Sequence, residues 1–154
     1  MQLKLPQQEL DKLRDALTRS GVREIGGQIF GEQLAPSSFL VAELTVQARQ
    51  GSFARFWVDL VQAARDARRF FQRTDRNYRR FNYLGEWHSH PSFAVHPSAT
   101  DKDAMRSIVE EPGFPAGFAV LMIVKLHNGR LERRAWLFDS SGTEIQVELK
   151  PAHD

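Results

Sequence analysis

Two histidines and one aspartate are the side chains in this sequence best suited to hold a metal ion. His88 and His90 lie in a segment whose pattern predicts a β-strand, so both imidazoles project from the same face. A loop of seven residues leads from His90 to Ser98, where we predict the start of a helix, and Asp101 follows one turn later. This spacing allows two imidazoles and a carboxylate to reach a single ion.

The donor set indicates a catalytic zinc site. Two histidines, one carboxylate and one open position are typical of zinc centres that perform chemistry. The chain contains no cysteine, which excludes disulfides, thiolate nucleophiles and every metal site that contains cysteine. Water on such a zinc ion has its pKa lowered to about 7, and a neighbouring carboxylate is suited to take its proton. Ser98 is placed to donate a hydrogen bond to the oxyanion that forms.

The same residues resemble a known family. The pattern His-x-His, seven residues, Ser, two residues, Asp resembles the JAMM signature of JAB/MPN zinc metalloproteases at every defined position. That family also has an upstream glutamate in a strand of the form Glu-x-Gly-Gly, and the segment that begins at Glu24, EIGGQIFG, is similar. The resemblance implies one zinc ion on His88, His90 and Asp101, with Glu24 as general base and Ser98 as oxyanion donor.

The resemblance also implies a substrate class. Members of this family cleave peptide or isopeptide bonds after the C-terminal tail of ubiquitin or a ubiquitin-like protein. A compact chain with the segment YLGEWHSHP is most similar to the bacterial standalone JAB peptidases. Those proteins accompany activating- and conjugating-enzyme-like proteins, often in antiphage defence operons. The lack of cysteine departs from eukaryotic relatives, which often carry one near the active site.

Three other functions stay open on the sequence alone. Some bacterial JAB proteins process the tail of a sulfur-carrier protein, which presents a similar, usually glycine-ended C-terminus. An MPN scaffold would only bind other proteins, although such relatives generally lack the metal ligands that this chain keeps. The only support for a nucleic-acid-binding module is the segment from Arg65 to Arg80, where seven arginines and two aspartates give a local net charge of +5. We do not expect nucleic acid as a partner.

Several residues admit a second interpretation. Ser98 with Asp101 also fits a helix capping box, which is compatible with metal binding. Glu32 is an alternative to Glu24 as the base. Glu86 is predicted to lie on the same face of the strand as both histidines, since it is two residues before His88. Its side chain either supports the metal site or points into solvent. The remaining histidines are interpreted as incidental: His96, His127 and His153.

The whole chain predicts an α+β fold that forms one domain over residues 1–154, with a mixed, mostly antiparallel, curved sheet flanked by helices. Predicted helices run from Pro6 to Gly21, over residues 60–79, and from Ser98 to about Glu110, before Pro112, Gly113 and Pro115. One face of the second helix is predicted to carry Leu60, Ala64, Ala67, Phe71, Thr74 and Tyr78. Predicted strands cover residues 24–31, 39–46, 53–58, 81–90, 118–126, 131–138 and 144–149.

Composition sets the expected location. The chain is 42% hydrophobic and 26% charged, as expected for a globular protein. Its first residues carry charges throughout and lack the apolar core of a signal peptide. The longest apolar run, from Phe118 to Val124, is too short to span a bilayer. We therefore expect a cytoplasmic protein with no membrane partner.

Overall fold

The computed structural model describes residues 1–47, 60–114 and 116–152, which form an α+β fold of the predicted class. The elements in chain order are β1 (Gln2–Leu5), α1 (Gln7–Ser20), β2 (Gly26–Ala35), β3 (Ser38–Leu44), α2 (Leu60–Arg73), β4 (Phe81–Ser89), α3 (Ala99–Glu110), β5 (Phe118–His127), β6 (Arg130–Asp139) and β7 (Glu144–Pro151). The strand predicted for residues 53–58, Pro115 and His153 lie outside the described residues.

The strands form one sheet that closes on itself in the order β1-β3-β2-β4-β5-β6-β7. Four neighbouring pairs are antiparallel: β2 with β3, β2 with β4, β5 with β6, and β6 with β7. Three pairs are parallel: β1 with β3, β1 with β7, and β4 with β5. The sheet is thus mostly antiparallel, as predicted, but its curvature goes as far as full closure.

Closure depends on β1, which the sequence analysis did not identify as a strand. Leu3 lies opposite Phe39 of β3 and Leu149 of β7, so this short segment joins both edges of the sheet. Leu3 and Leu5 are almost completely buried, at 0% and 1% exposure. Their alternation with polar neighbours is the period-2 signal of a strand, although only four residues carry it.

Apolar side chains fill two layers, one on each side of β5. Val120 and Val124 belong to the layer beneath α1, together with Trp87 of β4. Leu121 belongs to the opposite layer, where it packs with Met105 of α3. Successive residues of a strand point to opposite faces, so β5 separates the two layers. The predicted metal ligands lie in the α3 layer.

The second helix ends earlier than predicted, at Arg73 instead of near residue 79. Asp75 and Arg76 take left-handed backbone conformations, with φ of 53° and 54°. The amide of Arg76 bonds to the carbonyl of Phe71 at 2.8 Å, which closes the helix in a turn. Neither residue is a glycine, so the usual residue type that marks a helix end is missing here.

The buried face of α2 is also displaced from the predicted one. Ala63, Asp66 and Phe70 are buried, whereas Ala64 is exposed. Phe70 stacks on Phe30 of β2 with ring centroids 4.6 Å apart, and this contact sets the rotation of the helix. Within the described residues, no helix has the length and apolar character needed to cross a membrane.

Candidate metal centre

The end of β4 brings the two histidines of the motif together. His88 lies in β4 between Gly26 of β2 and Ile123 of β5, and His90 is held just beyond the strand by a 2.9 Å bond from its amide to the carbonyl of Val124. Both histidines are 3% exposed, and their Nε2 atoms lie 3.0 Å apart. The predicted projection of both rings from one face is confirmed.

The first turn of α3 brings the aspartate to the same point. Asp101 Oδ1 lies 3.4 Å from His88 Nε2, and Asp101 Oδ2 lies 3.7 Å from His90 Nε2. The possible ligand atoms of the three residues all lie within 4.8 Å of one another. In the part of the chain that the structure describes, no other group of three or more His, Asp or Glu side chains is arranged in this way.

A capping box orients Asp101. Ser98 Oγ accepts a hydrogen bond from the Asp101 amide at 3.1 Å, and Asp101 Oδ2 accepts one from the Ser98 amide at 2.7 Å. Ser98 Oγ also donates to Asp101 Oδ2 at 2.7 Å. The same bonds that begin the helix therefore direct the carboxylate toward the histidines, so the capping interpretation and the ligand interpretation agree.

A backbone contact fixes the ring of His90. Its Nδ1 lies 2.8 Å from the carbonyl of Ala94, which can only accept a hydrogen bond. Nδ1 is therefore the protonated nitrogen of the neutral ring, and the lone pair of Nε2 is directed to the space shared with Asp101. This is the tautomer that a metal ligand needs.

The protonation of Asp101 and of His90 depends on their neighbours in the site. Burial alone would raise the pKa of Asp101, but hydrogen bonds from His88 and His90, the charge of His88 and a hydrogen bond from Ser98 outweigh it and hold that pKa well below its usual range. Burial alone would lower the pKa of His90, yet hydrogen bonds to Asp101 and Ala94 and the nearby negative charges raise it. A divalent cation at this position would replace these protons, so the donor set fits a metal such as zinc.

Glu24 lies beside this group, two residues before β2 begins. Burial raises its pKa to about 7, with an opposing contribution from the charge of His90 and a reinforcing one from Asp101. Those charge effects require that Glu24 is close to both residues. Glu32, the alternative base, instead pairs with Arg80 at the other end of β2, so it does not lie at the site.

The glycine pair after Glu24 allows another part of the backbone to approach closely. A Cβ atom on Gly27 would lie 1.9 Å from the carbonyl oxygen of Thr45. The same carbonyl accepts a 2.8 Å hydrogen bond from Trp87 Nε1. The pair therefore lets β2 pack tightly between β4 and the end of β3, which fixes the strand that follows Glu24.

Glu86 points into the protein and not into solvent. Its side chain is on the α3 side of β4 with only 6% exposure, and Tyr83 donates a 3.4 Å hydrogen bond to its Oε1. Burial raises the pKa of Glu86 to about 7. Its second oxygen, Oε2, is buried and has no hydrogen-bond partner among the described residues. The solvent-facing interpretation of this residue is therefore wrong.

The other candidates from the sequence lie away from the three ligands. His96 is exposed and packs against Trp136, and His127 contacts its neighbour in the β5–β6 turn. In the arginine-rich segment, Arg69 and Arg73 pair with Glu43 of β3. Part of that segment's charge is thus neutralised within the protein.

Comparison with known proteins identifies relatives of this chain. A family model described as prokaryotic homologs of the JAB domain matches residues 6–139. A solution structure of a protein from Desulfitobacterium hafniense is similar, with a TM-score of 0.61, 17% identity, and coverage of 99% of this chain and 95% of that one. A protein from Salinibacter ruber gives a TM-score of 0.56, 21% identity, and coverage of 97% and 91%.

A third structure links the fold to a named domain. It is the crystal structure of a JAB1/MPN domain protein from Archaeoglobus fulgidus, with a TM-score of 0.50, 16% identity, and coverage of 96% of this chain and 97% of that one. At these identities the likeness shows a shared fold. No curated protein matches the chain.

Proposed function

The chain belongs to the prokaryotic JAB domain family, and from this premise we propose that it is a single-domain, JAMM-type zinc metallopeptidase. One observation carries the proposal: His88, His90 and Asp101 place buried ligand atoms within 4.8 Å of one another. Many family members with this set are metalloproteases, while others are non-catalytic. A chain that only bound other proteins would have no need to keep all three ligands buried and mutually oriented.

The proposed mechanism divides the work among the residues of the site. The chemistry that zinc supplies in such a site is Lewis-acid activation of water and of the scissile carbonyl. Glu24 accepts the proton of the attacking water at its carboxylate and then donates it to the nitrogen of the leaving amine. Ser98 redirects its hydroxyl hydrogen from Asp101 Oδ2 to the oxygen of the carbonyl as negative charge develops there.

We propose a ubiquitin-like protein as the substrate, cleaved after its C-terminal tail either from a conjugate or from a precursor. The support is the family resemblance of the HSHP motif and its spacing to Asp101. An extended, glycine-ended tail suits a metal site at the end of a strand, because small side chains let the scissile bond approach the ion. A sulfur-carrier tail has the same chemistry and is the second candidate.

The proposed partners and location follow from the same resemblance. They are activating- and conjugating-enzyme-like proteins that would supply the conjugates, within the cytoplasm, in the setting of an antiphage defence operon. The alternative that is not an enzyme is a scaffold that only binds other proteins. Zinc content separates it from the peptidase, because a scaffold has no requirement for one ion per chain.

The test is incubation of the zinc-loaded protein with fusions of ubiquitin-like and sulfur-carrier proteins to a reporter, analysed by mass spectrometry. We expect a cut directly after the tail, abolished by a chelator and restored by added zinc. His88→Ala, which removes one ligand, is the matched inactive control. Intact fusions with the zinc-loaded protein would contradict the peptidase, and identical cutting by the His88 variant would show that the site is elsewhere.

A further inference from the structure

A small cavity lies behind the metal ligands, between the sheet and α3. Its volume is about 10 Å³, close to the minimum that holds one water molecule. Its walls come from the α3 side of β4 and β5 and from the first turns of α3: Glu86, His88, Asp101, Ala104, Met105 and Leu121. The cavity therefore touches two of the three proposed ligands and one further carboxyl group.

Glu86 provides the polar group of this cavity that the proposed mechanism does not use. Its Oε2 is buried without a hydrogen-bond partner among the described residues, while Oε1 accepts from Tyr83. A buried carboxyl oxygen that is left unsatisfied destabilises the folded protein. A residue in this position needs a partner, and Glu86 faces a space of the size of one water molecule.

His88 has a second ring nitrogen, Nδ1, which can donate a hydrogen bond on the far side from the metal position. Its Nε2 faces His90 Nε2 and Asp101 Oδ1, so Nε2 is the atom directed to the metal position. A neutral imidazole that presents Nε2 to a metal carries its proton on Nδ1. In His90 that proton goes to Ala94. Glu86 precedes His88 by two residues on the same face of β4, where it can accept through an intervening water.

We propose that one ordered water in this cavity links Glu86 Oε2 to the imidazole of His88, so that Glu86 is a positioning residue for the metal site. The water accepts from the Nδ1–H group of His88 and donates to the carboxylate. This contact holds the ring in the tautomer and the rotation that direct Nε2 to zinc. The inference rests on the metal-binding part of the proposed function, because it assigns a role in orienting one of its ligands.

The test compares zinc affinities, measured by competition with a chromophoric chelator. Glu86→Met keeps the length of the side chain but removes its acceptors, and we expect it to weaken zinc binding on the order of 10- to 100-fold. Glu86→Gln keeps an acceptor oxygen and should restore most of the affinity. Gln28→Leu is the matched control, because Gln28 lies directly opposite Glu86, is also buried, and does not line the cavity.

The outcomes separate this inference from the proposed function. A wild-type protein that binds no zinc would overturn the proposed function itself. Zinc binding in the wild type with unchanged affinity in Glu86→Met would overturn only the role of Glu86. If the Met variant does not fold, a high-resolution structure of the zinc-loaded wild type decides. A water bonded to both Glu86 Oε2 and His88 Nδ1 supports the inference, and an empty cavity or a different partner for Oε2 overturns it.

Discussion

Around the histidine pair, each charged side chain depends on its neighbours for its protonation. Asp101 stays ionised because both histidines bond to it, and His90 stays basic because Asp101 and Ala94 accept from it. Glu24 lies in a different segment of the chain, just before β2, and is coupled to them through charge. This arrangement separates the residues that would hold the metal from the residue that would move the proton.

Glu24→Ala tests that separation. We expect turnover to fall by about 10²- to 10⁴-fold, the usual contribution of a general base, while one zinc ion per chain is retained. Glu32→Ala is the matched control, since Glu32 pairs with Arg80 at the far end of β2. Loss of zinc from the Glu24 variant, measured by metal analysis, would show that this residue is a ligand and not the base.

The pH profile of the wild type gives a second measure of the same residue. Only the ionised carboxylate can accept a proton, so activity is present above the pKa of Glu24 and lost as the pH falls through it. Burial sets that pKa at about 7, and the positive charge of a bound zinc ion would lower it. We therefore expect half-maximal kcat/KM at a pH below 7, with the Glu24 variant lacking this step.

The spacing of the residues predicted which three side chains come together, but not what surrounds them. His88, His90 and Asp101 could be placed together because strand parity and one helical turn are local geometry. The alternation of side chains along the strand also placed Glu86 on the metal-site face, but it could not show whether α3 covers that residue. Whether α3 covers Glu86 depends on how Met105 of α3 packs against Leu121 of β5, and such a tertiary contact cannot be predicted from local sequence.

At the level of elements, α3 begins where the metal site needs a carboxylate. Its N-cap, Ser98, is bonded to Asp101 in both directions. The positive end of the helix dipole also stabilises a negative charge in its first turn, which favours the ionised form of Asp101. Helix start and metal site are thus built from the same two residues, so a change in Ser98 should affect both stability and activity.

Two substitutions at Ser98 separate these effects. Ser98→Ala should reduce the free energy of unfolding by about 1 kcal/mol through loss of the cap, while Ser98→Gly should cost only a few tenths. If the hydroxyl is the oxyanion donor, both variants lose about 10²- to 10³-fold in kcat. Denaturant unfolding and steady-state kinetics provide the two measurements. A Gly variant with normal kcat would leave Ser98 with the capping role alone.

Other elements show where local sequence signals fail. The capping box of α3 was recognisable because its two partners are three residues apart. The end of α2 was not, because the left-handed residues Asp75 and Arg76 are not of a type that marks a helix stop. The rotation of α2 follows the contact between Phe70 and Phe30, two residues far apart in the chain.

For the whole molecule, the decisive feature is the closed sheet. β1 joins the edges of β3 and β7, so within residues 1–47, 60–114 and 116–152 no strand is left with an unpaired edge along its whole length. The sequence predicted a curved sheet but not its closure. The partners of Leu3 are Phe39 and Leu149, and no local pattern connects residues so distant in the chain.

Leu3→Ala measures the contribution of this closing strand. Leu3 is completely buried, so we expect a loss of about 2–5 kcal/mol in the free energy of unfolding, measured with urea. Lys4→Ala, on the opposite face of β1, is the matched control and should change stability by less than about 0.5 kcal/mol. Equal, small effects of both substitutions would show that the strand contributes little to stability.

The pairing of Gln2 with Glu148, 146 positions apart, makes closure of the sheet a long-range step in folding. Among the described strands, β1 comes first in the chain, and β7, one of its two partners, comes last. Loop closure over such a distance is slow compared with local pairing. β2, β4, α3 and β5, which carry the proposed ligands and their supports, lie between these two strands in the chain. The segments around the metal site can therefore pair with one another before β1 and β7 close the sheet.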